Sequence, residues 1–264
     1  MIRKKILIYL LFPFWYSCMP QEDLPLPNMG EISDYFIECY CQPGQDIILN
    51  ATRVVPLNGD MRYDFPPEMD VFVYTPDKTP LYYIFVNTSQ EVTCRYQSEK
   101  NLLVTQGDTL YLDITTANRK KITAKTFIPK AVAIYSQNIA GNQASICFYT
   151  STDPHQNYYI YTLEVKKQGE IIAQEVAYLD YSHYRNGELA EKSLSSSQIE
   201  SATQVILTLK RITKANYNYQ ISQNAASSAV QGSITNPVPL KGNVHGALGI
   251  FTCYTEDQRT LSYR

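Results

Sequence analysis

The sequence predicts an all-β fold: two antiparallel β-sandwich domains of the Ig-like or fibronectin-like kind, with one short helix in the second. Three observations predict it. Apolar residues recur with period two along much of the 264-residue chain, as where Leu110, Leu112 and Ile114 alternate with Tyr111, Asp113 and Thr115. Turn residues separate these runs at short intervals. Tyrosine is abundant, at 22 residues, while only 18% of residues are charged, which suits pleated, half-buried strands. The same figures exclude a disordered chain, which carries few aromatics and a high net charge. A formal charge of -2 also excludes a basic nucleic-acid binder.

The N-terminus reads as a processing segment. Arg3, Lys4 and Lys5 precede the apolar run from Ile6 to Phe12, which reaches toward Trp15. At about ten residues this stretch is too short to cross a bilayer. Residues 1–17 are therefore expected to be a signal peptide. The segment ends in Trp15-Tyr16-Ser17-Cys18, which resembles a bacterial lipobox and implies lipidation at Cys18. Trp15 is bulkier than the usual leucine there. Gln21, Glu22 and Asp23 follow and resemble the surface-export signal of Bacteroidota lipoproteins. Residues 18–30, with Pro20, Pro25 and Pro27, form a short stiff tether. Cleavage leaves 20 basic and 25 acidic side chains, a charge of -5. The expected contact with membrane is the lipid on Cys18, since a mildly acidic body is not drawn to anionic lipid.

Residues 31–128 form the first expected sandwich. Its strands run at Tyr35–Cys41, Ile47–Val55, Val71–Thr75, Leu81–Val86, Val92–Tyr96, Leu110–Thr115 and Ile122–Ile128. Turns fall at Gln42-Pro43-Gly44-Gln45, Asn58-Gly59-Asp60, Thr75-Pro76-Asp77-Lys78 and Gln106-Gly107-Asp108. No helical segment lies between these strands, so an antiparallel sandwich is expected rather than a parallel sheet.

Residues 129–264 form the second unit, with strands at Ala131–Gln137, Ala144–Thr150, Tyr158–Lys166, Glu170–Leu179, Val205–Ile212 and Gly246–Tyr254. Tyr159, Tyr161, Leu163 and Val165 share one face of the third. Lys167-Gln168-Gly169 is a hairpin turn. Ser193–Ser201 is polar and reads as a loop or short helix. Thr213 is a candidate cap for a helix over Lys214–Ser228, with Tyr217, Ile221 and Ala225 at i, i+4 and i+8 facing a sheet.

Besides Cys18 the chain holds Cys39, Cys41, Cys94, Cys147 and Cys253, an odd five for an oxidising compartment. Cys39 and Cys41 point the same way along one strand and are poorly placed to bond each other. Either could reach Cys94, and Cys147 could reach Cys253. Buried free thiols are the alternative.

Several short pieces, in order, resemble one family. They are Phe36-Ile37-Glu38, Gly44 and Val54-Val55-Pro56, then Asp153-Pro154 with Asn157-Tyr158-Tyr159. Asn186-Gly187, Tyr217-x-Tyr219, Gly242-Asn243-Val244 and Gly246-x-Leu248-Gly249-Ile250-Phe251 complete the set. Together they resemble the Bacteroidota outer-membrane lipoprotein family catalogued as domain of unknown function 4249. Cys39 stands where that family usually has Gly, and Tyr178-Leu179-Asp180-Tyr181 lacks its paired acids. The resemblance implies a surface-exposed outer-membrane lipoprotein serving a TonB-dependent transporter, and it carries over no catalytic residue.

Signs of chemistry are few. His155, His183 and His245 are the only histidines, no G-x-S-x-G elbow is present, and no metal-ligand spacing or phosphate-binding loop occurs. No cofactor or metal is expected. The candidate binding surface is the segment holding Tyr178, Asp180, Tyr181, His183, Tyr184 and Arg185, since tyrosine offers a broad apolar face and a polar tip. The expected function is a non-catalytic binding module. A surface hydrolase acting on glycans or peptides, or an adhesin or structural subunit, are the alternatives.

Overall fold

The computed structural model describes residues 35–53, 69–75, 83–86, 94–98, 104–183, 186–230 and 239–262. Cys18, Gln21, Glu22 and Asp23, with the expected signal peptide and tether, lie outside these residues, as do Tyr184 and Arg185.

The first half supplies β1 (Tyr35–Cys41), β2 (Ile48–Arg53), β3 (Asp70–Tyr74), β4 (Tyr83–Val86), β5 (Cys94–Ser98), β6 (Thr109–Thr115) and β7 (Lys121–Phe127). The second supplies β8 (Ile134–Ala140), β9 (Gln143–Tyr149), β10 (Tyr158–Lys167), β11 (Glu170–Asp180), β12 (Leu189–Ser195), β13 (Gln204–Ile212), the helix α1 (Lys214–Val230) and β14 (Leu248–Ser262). The fold is all-β with one helix. An eight-stranded sheet has the order β11-β10-β13-β14-β1-β2-β5-β4, and two three-stranded sheets have the orders β12-β9-β8 and β3-β6-β7.

Each small sheet packs on one part of the large one, and the period-two alternation says why. In β1 the residues Tyr35, Ile37, Cys39 and Cys41 are buried, and in β6 Leu110, Leu112 and Ile114. These form the first core with Val71, Val73, Ile122 and Ala124. Tyr159, Tyr161, Leu163 and Val165 of β10 form the second with Val205, Leu207 and Leu209 of β13 and Ile146 and Phe148 of β9. Strand β14 serves both. Phe251 and Cys253 complete the first core, whereas Leu261 packs on the second. The two sandwiches therefore share one sheet, joined where β14 runs parallel to β1. The sequence reading, with its break at 128/129, contains no such joint.

Three local outcomes differ from expectation or refine it. The hairpin turn holds: Gln168 and Gly169 have φ of 54° and 91°, as a two-residue turn with both centres left-handed requires. Part of the polar Ser193–Ser201 segment is strand, because β12 pairs with β9 from Leu189 to Ser195 and a single 3-10 turn follows at Ile199–Ser201. As an outer strand of its sheet it buries only Ala190, so the alternation barely registers in its sequence.

The helix starts where expected, with Thr213 Oγ1 accepting from the Asn216 amide at 3.1 Å. Its buried face, however, is Asn216, Tyr219 and Ser222, and Ile221 is 42% exposed. The surface beneath it is polar. Tyr219 donates its hydroxyl to Glu38 Oε1 at 2.9 Å, and Thr213 and Thr252 share a hydroxyl hydrogen bond of 2.9 Å. Hydrogen bonding, not an apolar stripe, orients this helix.

Cys39, Cys41, Cys147 and Cys253 are free thiols. The Cys39 and Cys41 sulfurs lie 3.6 Å apart, and Cys253 sits beside Cys41 in the β1–β14 register. The hydrogen bond to Cys41 together with burial pushes the Cys39 thiol well above its ordinary range, and burial does the same to Cys253. Hydrogen bonds from Cys253 and Cys39 pull the Cys41 thiol the other way, down to about 5, but all three sulfurs are buried, and thiols that reagent cannot reach react slowly. Iodoacetamide at pH 8 is thus expected to leave Cys39, Cys41 and Cys253 unlabelled in the native protein and to label all three in urea, read by peptide mass spectrometry.

Candidate functional site

Alternation gives the eight-stranded sheet a second face, turned away from both cores, and strand register decides what stands on it. Tyr178 of β11, Ile160 of β10, Lys210 of β13 and Glu256 of β14 lie in one row. Asp180, Tyr158, Ile212 and Tyr254 form the next. Tyr40 has the same parity on β1, opposite Thr252. Helix α1 covers part of this face, with the Tyr217 ring 5.5 Å from that of Tyr158.

Helix and sheet leave between them a cavity of about 210 Å³, with Tyr40, Lys210, Asn216, Gln220 and Tyr254 around an apolar floor of Ile160 and Ile212. Gln220 is its hub. The amide Nε2 donates to the Tyr40 hydroxyl and to Asn216 Oδ1, both at 3.3 Å, while Oε1 accepts from the Tyr178 hydroxyl at 3.3 Å. Tyr254 donates to Gln42 Oε1 at 3.1 Å. Lys210 Nζ lies 3.3 Å from Glu256 Oε2 and 4.6 Å above the Tyr254 ring.

Burial, reinforced by Glu38, pushes the Tyr40 phenol above its ordinary range, and burial with Glu256 does the same for Tyr254. Both hydroxyls stay protonated at neutral pH and can donate as well as accept. A groove of aromatic faces, amides and phenols is suited to a neutral ligand rich in hydroxyl or amide groups. Bonds of 3.3 Å sit at the long end of the range and can be exchanged for better ones.

The residues singled out from sequence are divided by the fold. Tyr178 reaches the rim of this groove. Asp180 Oδ1 accepts from the Ser182 amide at 2.9 Å and its hydroxyl at 2.6 Å, closing the turn after β11. Tyr181 turns to the second core, its ring 6.0 Å from Phe148 and 6.2 Å from Tyr159. His183 is exposed. Tyr178 and Tyr181 thus belong to different surfaces. Tyr40, Gln220 and Tyr254 escaped the sequence reading. Their signal is parity: Tyr40 and Tyr254 occupy the positions of β1 and β14 that alternate with core residues. Among the described residues no group of three or more His, Cys, Asp or Glu is placed to hold a metal ion, and no helix is long and apolar enough to cross a membrane.

Fold and groove define an all-β sandwich protein with a helix-covered, tyrosine-lined hollow on its shared sheet. The chain belongs to the family described as Domain of unknown function (DUF4249), whose family model matches residues 28–260. No curated protein matches it. Among solved structures it is similar to a DUF4785 family protein from Legionella pneumophila, at 11% identity and a TM-score of 0.27, covering 67% of this chain. The match spans 52% of that protein, about half its length.

Proposed function

We propose that the protein is a lipid-anchored outer-membrane lipoprotein facing the cell exterior, and that it acts as a non-catalytic binding module for a TonB-dependent nutrient transporter. The groove under α1 carries the binding part of this reading. Its hub, Gln220, spends its hydrogen bonds on three long contacts beside two neutral tyrosines. The anchor rests on the lipobox-like Trp15-Tyr16-Ser17-Cys18 and the acidic residues after it. Two acyl chains on Cys18 hold a protein at a membrane stably, which a single chain does not.

Affinity purification from outer membranes in mild detergent tests the partnership. Recovery of a TonB-dependent channel in near-equal amount supports it, and absence of any channel overturns it. Radiolabelled palmitate tests the anchor separately. Label is expected in the wild type and not in Cys18→Ala, and equal labelling of both contradicts lipidation at this residue.

A further inference from the structure

A second site lies on the opposite face of the same sheet. Arg211, one residue before Ile212 of the groove floor, turns by alternation to the core side and is only 5% exposed. Its Nη1 donates to the carbonyls of Lys130 at 3.2 Å and Ala131 at 2.7 Å, and its Nη2 donates to the Tyr159 hydroxyl at 3.2 Å. Its guanidinium carbon lies 5.3 Å from the centre of the Tyr159 ring. A guanidinium has five N–H donors, so Nε–H and one Nη2–H remain, and Nε is buried without a partner. No carboxylate pairs with Arg211 among the described residues, where the ion pairs are Lys210–Glu256 and Arg259–Asp257.

A buried cation lacking its counter-charge is costly, and here it borders open space. Arg211 lines a cavity of about 490 Å³. Lys130 is a second cation in the wall, Thr150, Ser151 and Thr152 form one side, and among the described residues no Asp or Glu contributes to the lining. Tyr135 and Tyr149, 67% and 52% exposed, stand edge to face in the same wall with centroids 5.5 Å apart. A positively charged hollow in a chain of net charge -2 is a local feature, not an average one.

We propose that this cavity binds a small organic anion of acidic-sugar size. Its carboxylate pairs with Arg211 and Lys130, and its ring lies against Tyr135 and Tyr149. Arg211 lines the hollow with one Nη2–H still unspent, and a guanidinium engages a carboxylate more strongly than it does a neutral acceptor. The tyrosine rings supply apolar area at low entropic cost. The site shares no residue with the groove under α1, and its ligand is of opposite character, so either can fail without the other.

Isothermal titration of the full purified chain with glucuronate, glucose and inorganic phosphate tests the assignment. Glucuronate is expected to bind, with glucose weaker by about tenfold or more, the worth of one well-placed charged contact. Phosphate binding as tightly as glucuronate overturns the role of the tyrosines, and glucose binding as tightly overturns the role of the cations. Arg211→Lys keeps the charge but loses the planar fork and is expected to weaken glucuronate at least tenfold. Because Arg211 also holds the 130–131 backbone, Lys130→Gln and Tyr149→Ala provide a second measure at the exposed rim. Each is expected to weaken glucuronate roughly threefold to tenfold at an unchanged melting temperature. No heat from glucuronate, or affinities that both rim variants leave unchanged, contradicts the site.

Discussion

Gly249→Ala is expected to prevent the chain from reaching its native fold. Gly249 has φ of +116°, a region that L side chains rarely adopt, and it stands opposite Ile37 in the parallel β1–β14 pair. A Cβ there would sit 1.9 Å from the Ile37 carbonyl oxygen and 2.8 Å from its carbonyl carbon. Both are backbone atoms, so no rotamer change relieves the clash. The opposite side is closed as well, since a Cβ on Gly242 would lie 1.8 Å from the Gly249 oxygen. Asn243 fixes this layer in place by donating to the Phe251 carbonyl at 2.8 Å and accepting from its amide at 2.9 Å. The substitution forces β14 away from β1 at the joint between the two sandwiches. The loss is expected to exceed about 5 kcal/mol, comparable with the whole stability of an ordinary domain. Far-ultraviolet circular dichroism and gel filtration read it as an unfolded or aggregated product. A soluble variant with native melting behaviour would show that β1 and β14 are not apposed in this way.

Asn157→Ala carries the second largest effect. Asn157 is fully buried, and one side chain serves several groups. Its Oδ1 accepts from the Ser151 amide at 2.6 Å and the Tyr159 hydroxyl at 2.8 Å, and its Nδ2 donates to the Ser151 carbonyl at 3.0 Å. The Tyr159 hydroxyl in turn accepts from Arg211. Alanine orphans the buried Ser151 amide, at about 1–3 kcal/mol, and takes one partner from the Tyr159 hydroxyl, which keeps Arg211, and from the Ser151 carbonyl, which keeps the Gly187 amide. We expect a total near 3 kcal/mol, because relaxation and water entry make such losses less than additive. In urea unfolding the midpoint should fall while the slope is unchanged. A loss below about 1 kcal/mol would show that the network is not what holds the 151–159 turn.

Legibility in the sequence followed the physics of each element. Half-buried strands such as β6 and β10 declare themselves, because one face is apolar and the other is not. The start of α1 was legible from Thr213 and the hairpin from Gln168-Gly169, since both obey local rules. The buried face of α1 was not legible, because it is held by Asn216, Ser222 and the Tyr219 hydroxyl rather than by apolar side chains. The shared sheet was equally hidden: β1 and β14 come from opposite ends of the described chain, and neither strand bears a local mark of its partner. The site suffered from the same distance. Gln220 and Tyr40 are 180 residues apart, while Tyr178 and Tyr181, close in sequence, face different surroundings. Asn157 closes the short turn at residues 154–156, a local role its residue type suits, but its contacts to Tyr159 and through it to Arg211 are tertiary.

The most direct measurement on the groove repeats the outer-membrane purification with wild type and with a Tyr40→Ala/Gln220→Ala double variant, after confirming that the two melt within a few degrees of each other. Both side chains lie at the solvent edge of the hollow and outside the two cores. The wild type is expected to bring down a TonB-dependent channel in near-equal amount, and the variant to lose most of it, up to about nine-tenths where a contact worth about 1.4 kcal/mol is removed. Equal recovery by the two proteins would contradict a role for the groove under α1 in holding the transporter.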